Sequence, residues 1–298
     1  MRRVHVPLEI DLMGSLRPLV ASHQDPTIRL RRDRVARASR TPDGPATIAI
    51  ERVGARVFDA RAWGPGAAWA LEHVPGLVGA HDDLTGFDPD PHPFVARAAR
   101  SRPGLRIVRT SRIDDVLVAT ILAQRVTSSE AARSWTRIVR AWGEPAPGPY
   151  GLLLPPPPAR LARTPYWAFH RFGIERSRAT SIAMACRAVE CLQDAIELPR
   201  DQALARFAAV PGLGPWTAAH VLRVAAGDAD LVEVGDFHVK HHIGWNLAGE
   251  PRGSDERMLE LLAPFCGHRG RVVRLVLAAG RRPPSYGPRH RVVRVDHL

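Results

Sequence analysis

The sequence predicts an α+β protein, with an N-terminal antiparallel β-rich domain over residues 1–100, an all-α core over 101–280 and a basic tail over 281–298. Three observations predict it. The 298 residues exceed the roughly 100 to 200 of an ordinary domain. Within the first hundred, short stretches alternate apolar and polar residues between turn signals. From Ile113 onward, apolar residues recur instead at three- and four-residue spacing, the period of a helix face.

Taken in order, Thr27 to Arg31 and Thr47 to Val53 read as strands, with the turn signal TPDGP just before the second. Ala67 to Glu72 reads as a short helix, and the Pro- and Asp-dense GFDPDPHPF as a loop leading to another. A long helical pattern starts at Ile113, with Ser111 available as a cap and Asp114 and Asp115 favouring its first turn. EPAPGPYGLLLPPPPA, from Glu144 to Ala159, has linker composition. Its apolar triplet Leu152 to Leu154 calls for burial, so we read a long loop within the helical lobe. Ile174 to Leu192 is again helical, and a short helix containing Leu204 and Phe207 follows Pro199. The tail RRPPSYGPRHRVVRVDHL reads as disordered, with a DNA-touching arm as the alternative.

Composition narrows the partner. Lys and Arg total 42 against 30 Asp and Glu, a net charge of +12, and Lys240 is the only lysine. An uncompensated basic surface attracts polyanions and releases their counterions on binding, although an arginine bias does not itself define function. The three cysteines, Cys186, Cys191 and Cys266, are too few for a disulfide framework, a four-cysteine zinc site or an iron–sulfur cluster. No apolar run reaches the roughly 18 residues needed to span a bilayer, and Glu9 and Asp11 interrupt any signal-peptide core. A soluble, cytoplasmic, monomeric protein is the expectation.

The most informative stretch is VPGLGPWTAAHVLRVAAGDADLVEVGDFHVK, residues 210–240. In PGLG, Gly212 and Gly214 permit positive φ and close approach. The helix that follows, from Trp216, offers backbone N–H groups to a phosphate. About twenty residues on, Asp236 stands before the apolar-periodic FHVKHHIGW. It reads equally as a helix N-cap and as a catalytic carboxylate. Asp228 and Asp230 read as loop solvation. His238, His241 and His242 share a helix face, but no acidic or cysteine partner is placed to complete a metal site.

VPGLGPWTA followed by GDFHVK resembles the signature of the helix-hairpin-helix DNA glycosylase superfamily, and within it most closely 3-methyladenine DNA glycosylase II. ATILAQRVTSSEAA at 119–132, SRPGLRI at 101–107 and FGIERSRATSI at 172–182 resemble further blocks of that family in the same order. The likeness covers residues of about 100 to 280 and implies a helical glycosylase core behind a β-rich domain.

The resemblance implies a set of roles. Asp236 would be the catalytic carboxylate, with Trp216, His220, Phe237 and Gln124 lining a base pocket. Arg125 would fill the gap left by a flipped base, and Gly212, Leu213, Gly214, Thr217 and Lys240 would hold DNA. Lys240 would pair with a carboxylate or phosphate. Strand-nicking relatives carry a hairpin lysine where this chain has Trp216, so hydrolysis without lyase chemistry is implied. His220 departs from the family's tyrosine, and an aromatic is missing near Gly270, which leaves the damaged-base range open. No cofactor is implied beyond a monovalent cation held by hairpin carbonyls near Leu213. The implied activity is excision of an alkylated purine such as 3-methyladenine from double-stranded DNA, without a membrane. The alternatives are a glycosylase for another lesion such as hypoxanthine, and a catalytically silent helix-hairpin-helix DNA-binding protein, which would not need Asp236.

Overall fold

The structure, a computed structural model, describes residues 1–284, so most of the predicted tail lies outside the described residues. Five antiparallel strands open the fold: β1 (Arg2–His5), β2 (Ile28–Leu30), β3 (Arg34–Thr41), β4 (Gly44–Gly54) and β5 (Val57–Trp63), in the order β1-β5-β4-β3-β2. The predicted strands fall within β2 and β4, and TPDGP forms the β3–β4 turn. In β4 the alternation is the physical one, with Ala46, Ile48 and Ile50 turned inward. Strand β3 gave no such signal because both its faces are covered. Val35 joins the main core, while Ala36 and Ala38 pack under Leu152 and Leu154.

That packing explains the Pro-rich loop. Glu144–Pro145 (β6) pairs with Leu153–Leu154 (β7), and the ribbon lies on the outer face of the sheet, its backbone tied to Pro26 by Leu153. The loop is therefore a brace between lobes. A second brace is buried: Arg37 of β3 meets Asp115 at 2.7 Å, both nearly inaccessible. Burial pushes the Asp115 carboxyl up, and the Arg37 charge acts against that push.

The long helical pattern from Ile113 is two helices, Asp114–Leu122 and Ser128–Trp142. Thr127 and Glu130 form a reciprocal capping box that starts the second. Ser111 does not cap the first. It sits at φ 58°, and its backbone bonds Ala225 and Gln193 instead. Further helices run over Arg176–Arg187, Val189–Gln193, Arg200–Ala208 and Pro215–Ala225.

The hydrophobic interior does not divide at residue 100. One cluster joins the sheet to the helices up to Leu231. A second, built around Val239, Ile243, Met258, Leu262, Val272 and Val276, takes in Val95 and Ala98 of the Pro93–Ser101 helix. Leu231 belongs to the first cluster and Val232 to the second. The segment carrying Asp236 thus leaves one core and enters the other, which places it at their junction. No described helix is long and apolar enough to cross a membrane.

Candidate active site

Residues 210–214 turn the chain between the Arg200–Ala208 and Pro215–Ala225 helices, and Leu213 N–H closes the turn on the Val210 carbonyl at 3.1 Å. Gly212 takes φ 88°, and any Cβ there would run into Ser181 on the neighbouring helix. Only glycine fits. Gly214 differs from expectation: at φ −77°, ψ 174° it is ordinary extended backbone. Its space is open, with nothing within 4 Å of a Cβ. What Gly214 supplies is a bare surface beside the helix start, where first-turn N–H groups lack intrahelical partners and suit an anion.

Two of the predicted DNA contacts are corrected. Leu213 is 3% exposed and Thr217 1%, so their side chains face inward and only their backbones can meet a phosphate. Thr217 has a different task. Its hydroxyl accepts from the Gln124 amide at 2.9 Å, and the same amide donates to the Gly212 carbonyl at 2.9 Å. Gln124 is thereby committed to the hairpin rather than offered whole to a base. Arg125, next along, is exposed at φ 54°, a left-handed conformation that costs a non-glycine residue roughly 1–2 kcal/mol. It breaks the chain between the two helices and projects beside the hairpin.

Asp236 follows Gly235, which turns at φ 89°. Its Oδ1 accepts from the backbone N–H of His238 at 2.7 Å and of Val239 at 2.9 Å. Its Oδ2 accepts from Trp216 Nε1 at 2.9 Å. One oxygen of this carboxylate is therefore fastened to the start of the following helix and the other is held by the indole. Behind it, Asp255 accepts from Gly235 N–H at 3.1 Å and from Lys240 Nζ at 3.1 Å. Lys240 takes the carboxylate of its two predicted partners, and its amine holds the turn rather than DNA.

Beyond Trp216, the His220 ring lies 6.0 Å away with 19° between planes. His220 Nδ1 stands 3.2 Å from Glu233 Oε1, which Arg223 also clasps with two nitrogens. Burial, the largest single influence, pushes the Glu233 carboxyl up, but Arg223 and His220 together outweigh it and hold the acid below its usual range. Phe237 is 64% exposed and packs edge-on against His238 and His241, away from this row. Among the described residues, no three His, Cys, Asp or Glu converge as a metal-holding group.

The acids read as loop solvation are anchored. Asp228 pairs with Arg200, and buried Asp230 accepts from the Arg269 backbone and guanidinium at 2.6–3.0 Å. They fix the segment that leads to Asp236. Gly270 is explained by the same crossing, since a Cβ there would strike the Leu231 and Ala229 carbonyls. No aromatic side chain fits at that point. Sequence reasoning missed Glu233, Arg223 and Asp255. The available signal was an acid inside the apolar run LVEV, three positions before Asp236.

A sheet lobe joined to helices, a glycine hairpin and an acid held at the junction of two cores together have the fold of the helix-hairpin-helix DNA glycosylases. Comparison with known proteins agrees at the level of fold. The chain is similar to 3-methyladenine DNA-glycosylase from Archaeoglobus fulgidus, with a TM-score of 0.79 at 16% identity over 93% of this chain and 98% of that one. It is similar to MBOgg1 in complex with a low affinity DNA ligand, with a TM-score of 0.70 at 15% identity over 92% and 93%. Clostridium acetobutylicum 8-oxoguanine glycosylase/lyase, in complex with double-stranded DNA containing cytosine opposite 8-oxoguanine, gives a TM-score of 0.62 at 14% identity over 84% and 96%. In sequence, the probable bifunctional transcriptional activator/DNA repair enzyme AlkA of Mycobacterium tuberculosis is 30% identical over 162 residues. That match takes in 53% of this chain and 31% of the relative's length. No protein-family profile matches the chain.

Proposed function

We propose that this protein is a monofunctional DNA glycosylase that extrudes an alkylated purine, such as 3-methyladenine, from duplex DNA and hydrolyses its N-glycosidic bond. The observation that carries the reading is the Asp236 carboxylate, oriented by two backbone N–H groups and by Trp216 Nε1 beside a phosphate-ready hairpin.

As the base departs, positive charge builds on the deoxyribose. A fixed carboxylate facing that sugar stabilises the charge without reorganising, which is the condition for a large electrostatic contribution. Trp216 supplies an electron-rich face for a cationic methylated base. Base flipping leaves a gap in the stack, and Arg125, planar, cationic and exposed, would enter it. With Trp216 where a Schiff-base lysine would stand, and Lys240 engaged by Asp255, the sugar meets no free amine. Duplex DNA is the proposed partner. A monovalent cation near Leu213 would be held by hairpin carbonyls, of which Gly212 and Val210 each already accept one hydrogen bond.

The test is incubation with methylated duplex DNA, counting released bases and scoring strand breaks with and without alkali. Base release that needs alkali for scission is expected, with Asp236→Asn lowering release by about 10²-fold or more, the scale of losing a fixed charge-stabilising group. Direct nicking would defeat the monofunctional reading. Tight binding without release from any lesion, unchanged in the variant, would favour the silent binder.

A further inference from the structure

The imidazole of His220 is the one ionisable side chain of the row whose outer nitrogen is left free. Its Nδ1 faces Glu233 at 3.2 Å, and Glu233 is 5% exposed and clasped by Arg223. A carboxylate can only accept, and at 3.2 Å it lies nearer than the donor-only Arg223 Nη2 at 3.4 Å, while Arg223 has Glu233 itself to donate to, so the contact favours the hydrogen on Nδ1. In the neutral ring Nε2 then holds a lone pair. Among the described residues none bonds Nε2, and the side chain keeps 26% of its surface open.

The row also has a direction. Asp236 Oδ2 sits on Trp216 Nε1 at 2.9 Å, and the Trp216 ring continues nearly parallel to His220. A deoxyribose held against Asp236 lays its base along Trp216 and brings the outer edge of that base to His220.

Resting on the glycosylase reading above, we infer that His220 discriminates purines at their 6-position, with Glu233 fixing the ring so that Nε2 accepts a hydrogen bond from a 6-amino group. A 6-oxo purine presents lone pair to lone pair and is disfavoured. The charged groups facing the ring are Glu233 from the segment before Asp236 and Arg223 from the same helix, Nη2 being 3.4 Å from Nδ1. Arg274 of the Arg269–Ala279 helix faces Glu233 and Arg223 from behind. His220 is thus a specificity-determining residue and Glu233 a positioning one.

DNA treated with dimethyl sulfate carries 3-methyladenine, a 6-amino base, and 7-methylguanine, a 6-oxo base, so one substrate reports both releases. For the wild-type chain at pH 8, the ratio of 3-methyladenine to 7-methylguanine release is expected to exceed that of His220→Phe by about tenfold, the scale of one hydrogen bond gained against one polar clash. In Glu233→Gln the side-chain amide can donate to Nδ1, which frees the other tautomer and brings the ratio toward that of His220→Phe. His220→Gln serves if the phenylalanine variant does not fold, since its amide donates as well as accepts and flattens the ratio. Equal ratios in wild type and variants would overturn the inference and leave the glycosylase reading standing. Release of neither base by the wild-type chain would overturn that reading and the inference with it.

Discussion

Two turns meet the start of the hairpin helix, and they are built in opposite ways. The Asp236 turn is saturated: both carboxylate oxygens are bonded, Gly235 and Lys240 are tied to Asp255, and the segment before it is held by Asp230. In the Arg125 turn the flanking residues are held, Gln124 by the hairpin and Thr127 by its capping box, but the arginine between them sits exposed in a left-handed conformation. Consecutive residues take the two, Trp216 bonding Asp236 and Thr217 bonding Gln124. On the proposed function, the contrast teaches that the acid facing the sugar is over-determined, whereas the arginine proposed to enter DNA is kept solvated and strained. Stored strain of this kind is a reason to suspect function.

The largest way to break the contrast is to loosen the acid. Trp216→Phe keeps an aromatic face but removes the donor to Oδ2. A hydrogen bond to a charged group contributes about 1.5–3 kcal/mol, so base release should fall roughly 10- to 100-fold in single-turnover assays with DNA affinity nearly kept. Asp255→Ala acts one step further back, freeing Gly235 and Lys240. Its expected effect is a loss of about tenfold in the chemical step. Undiminished release from either variant would mean that Asp236 needs no such anchoring.

The opposite turn should respond with the opposite sign. Arg125→Gly relieves the left-handed strain and should raise unfolding stability by about 1 kcal/mol in urea titrations. Release should drop most for lesions in paired duplex and least for lesions opposite a gap. A variant less stable than wild type would show that the turn stores no strain.

The smallest effect sharpens the electrostatics behind the row. Glu233 is held ionised below its usual range, so its contribution to stability is present above about pH 4.3, the ordinary glutamate value. That contribution is lost as the pH falls through the lower folded value. Glu233→Gln should flatten the acid side of the stability profile by thermal melting, relative to wild type, and leave the neutral side without added slope.

What was legible in the sequence divides along the same line. Strand β4, the Ala67–Glu72 helix and the hairpin could be read because each is set by local period or by a glycine with a steric reason. Strand β3 could not, because a strand covered on both faces loses its alternation. The break at Arg125 was missed although TSSE at 127–130 spells a capping-box start; the bonding of Gln124 to the hairpin accompanies it but could not be read from sequence. For Asp236, position was legible and environment was not. Glu233, Asp255 and Trp216 come from three separated segments, and only folding shows that they converge. Thr217 and Leu213 were misread because a motif gives proximity to DNA without saying which atoms face it.

The Arg37–Asp115 pair bears on how such a chain can evolve. It ties a sheet strand to the first turn of the Asp114–Leu122 helix, which leads to Gln124, beside a cluster common to both lobes. Without the sheet lobe, the helical region would lose both the Arg37 counter-charge of Asp115 and the cover of the shared apolar cluster. The two lobes therefore depend on each other for stability, and a replacement for the β-rich part would have to cover the same wall and neutralise or solvate Asp115.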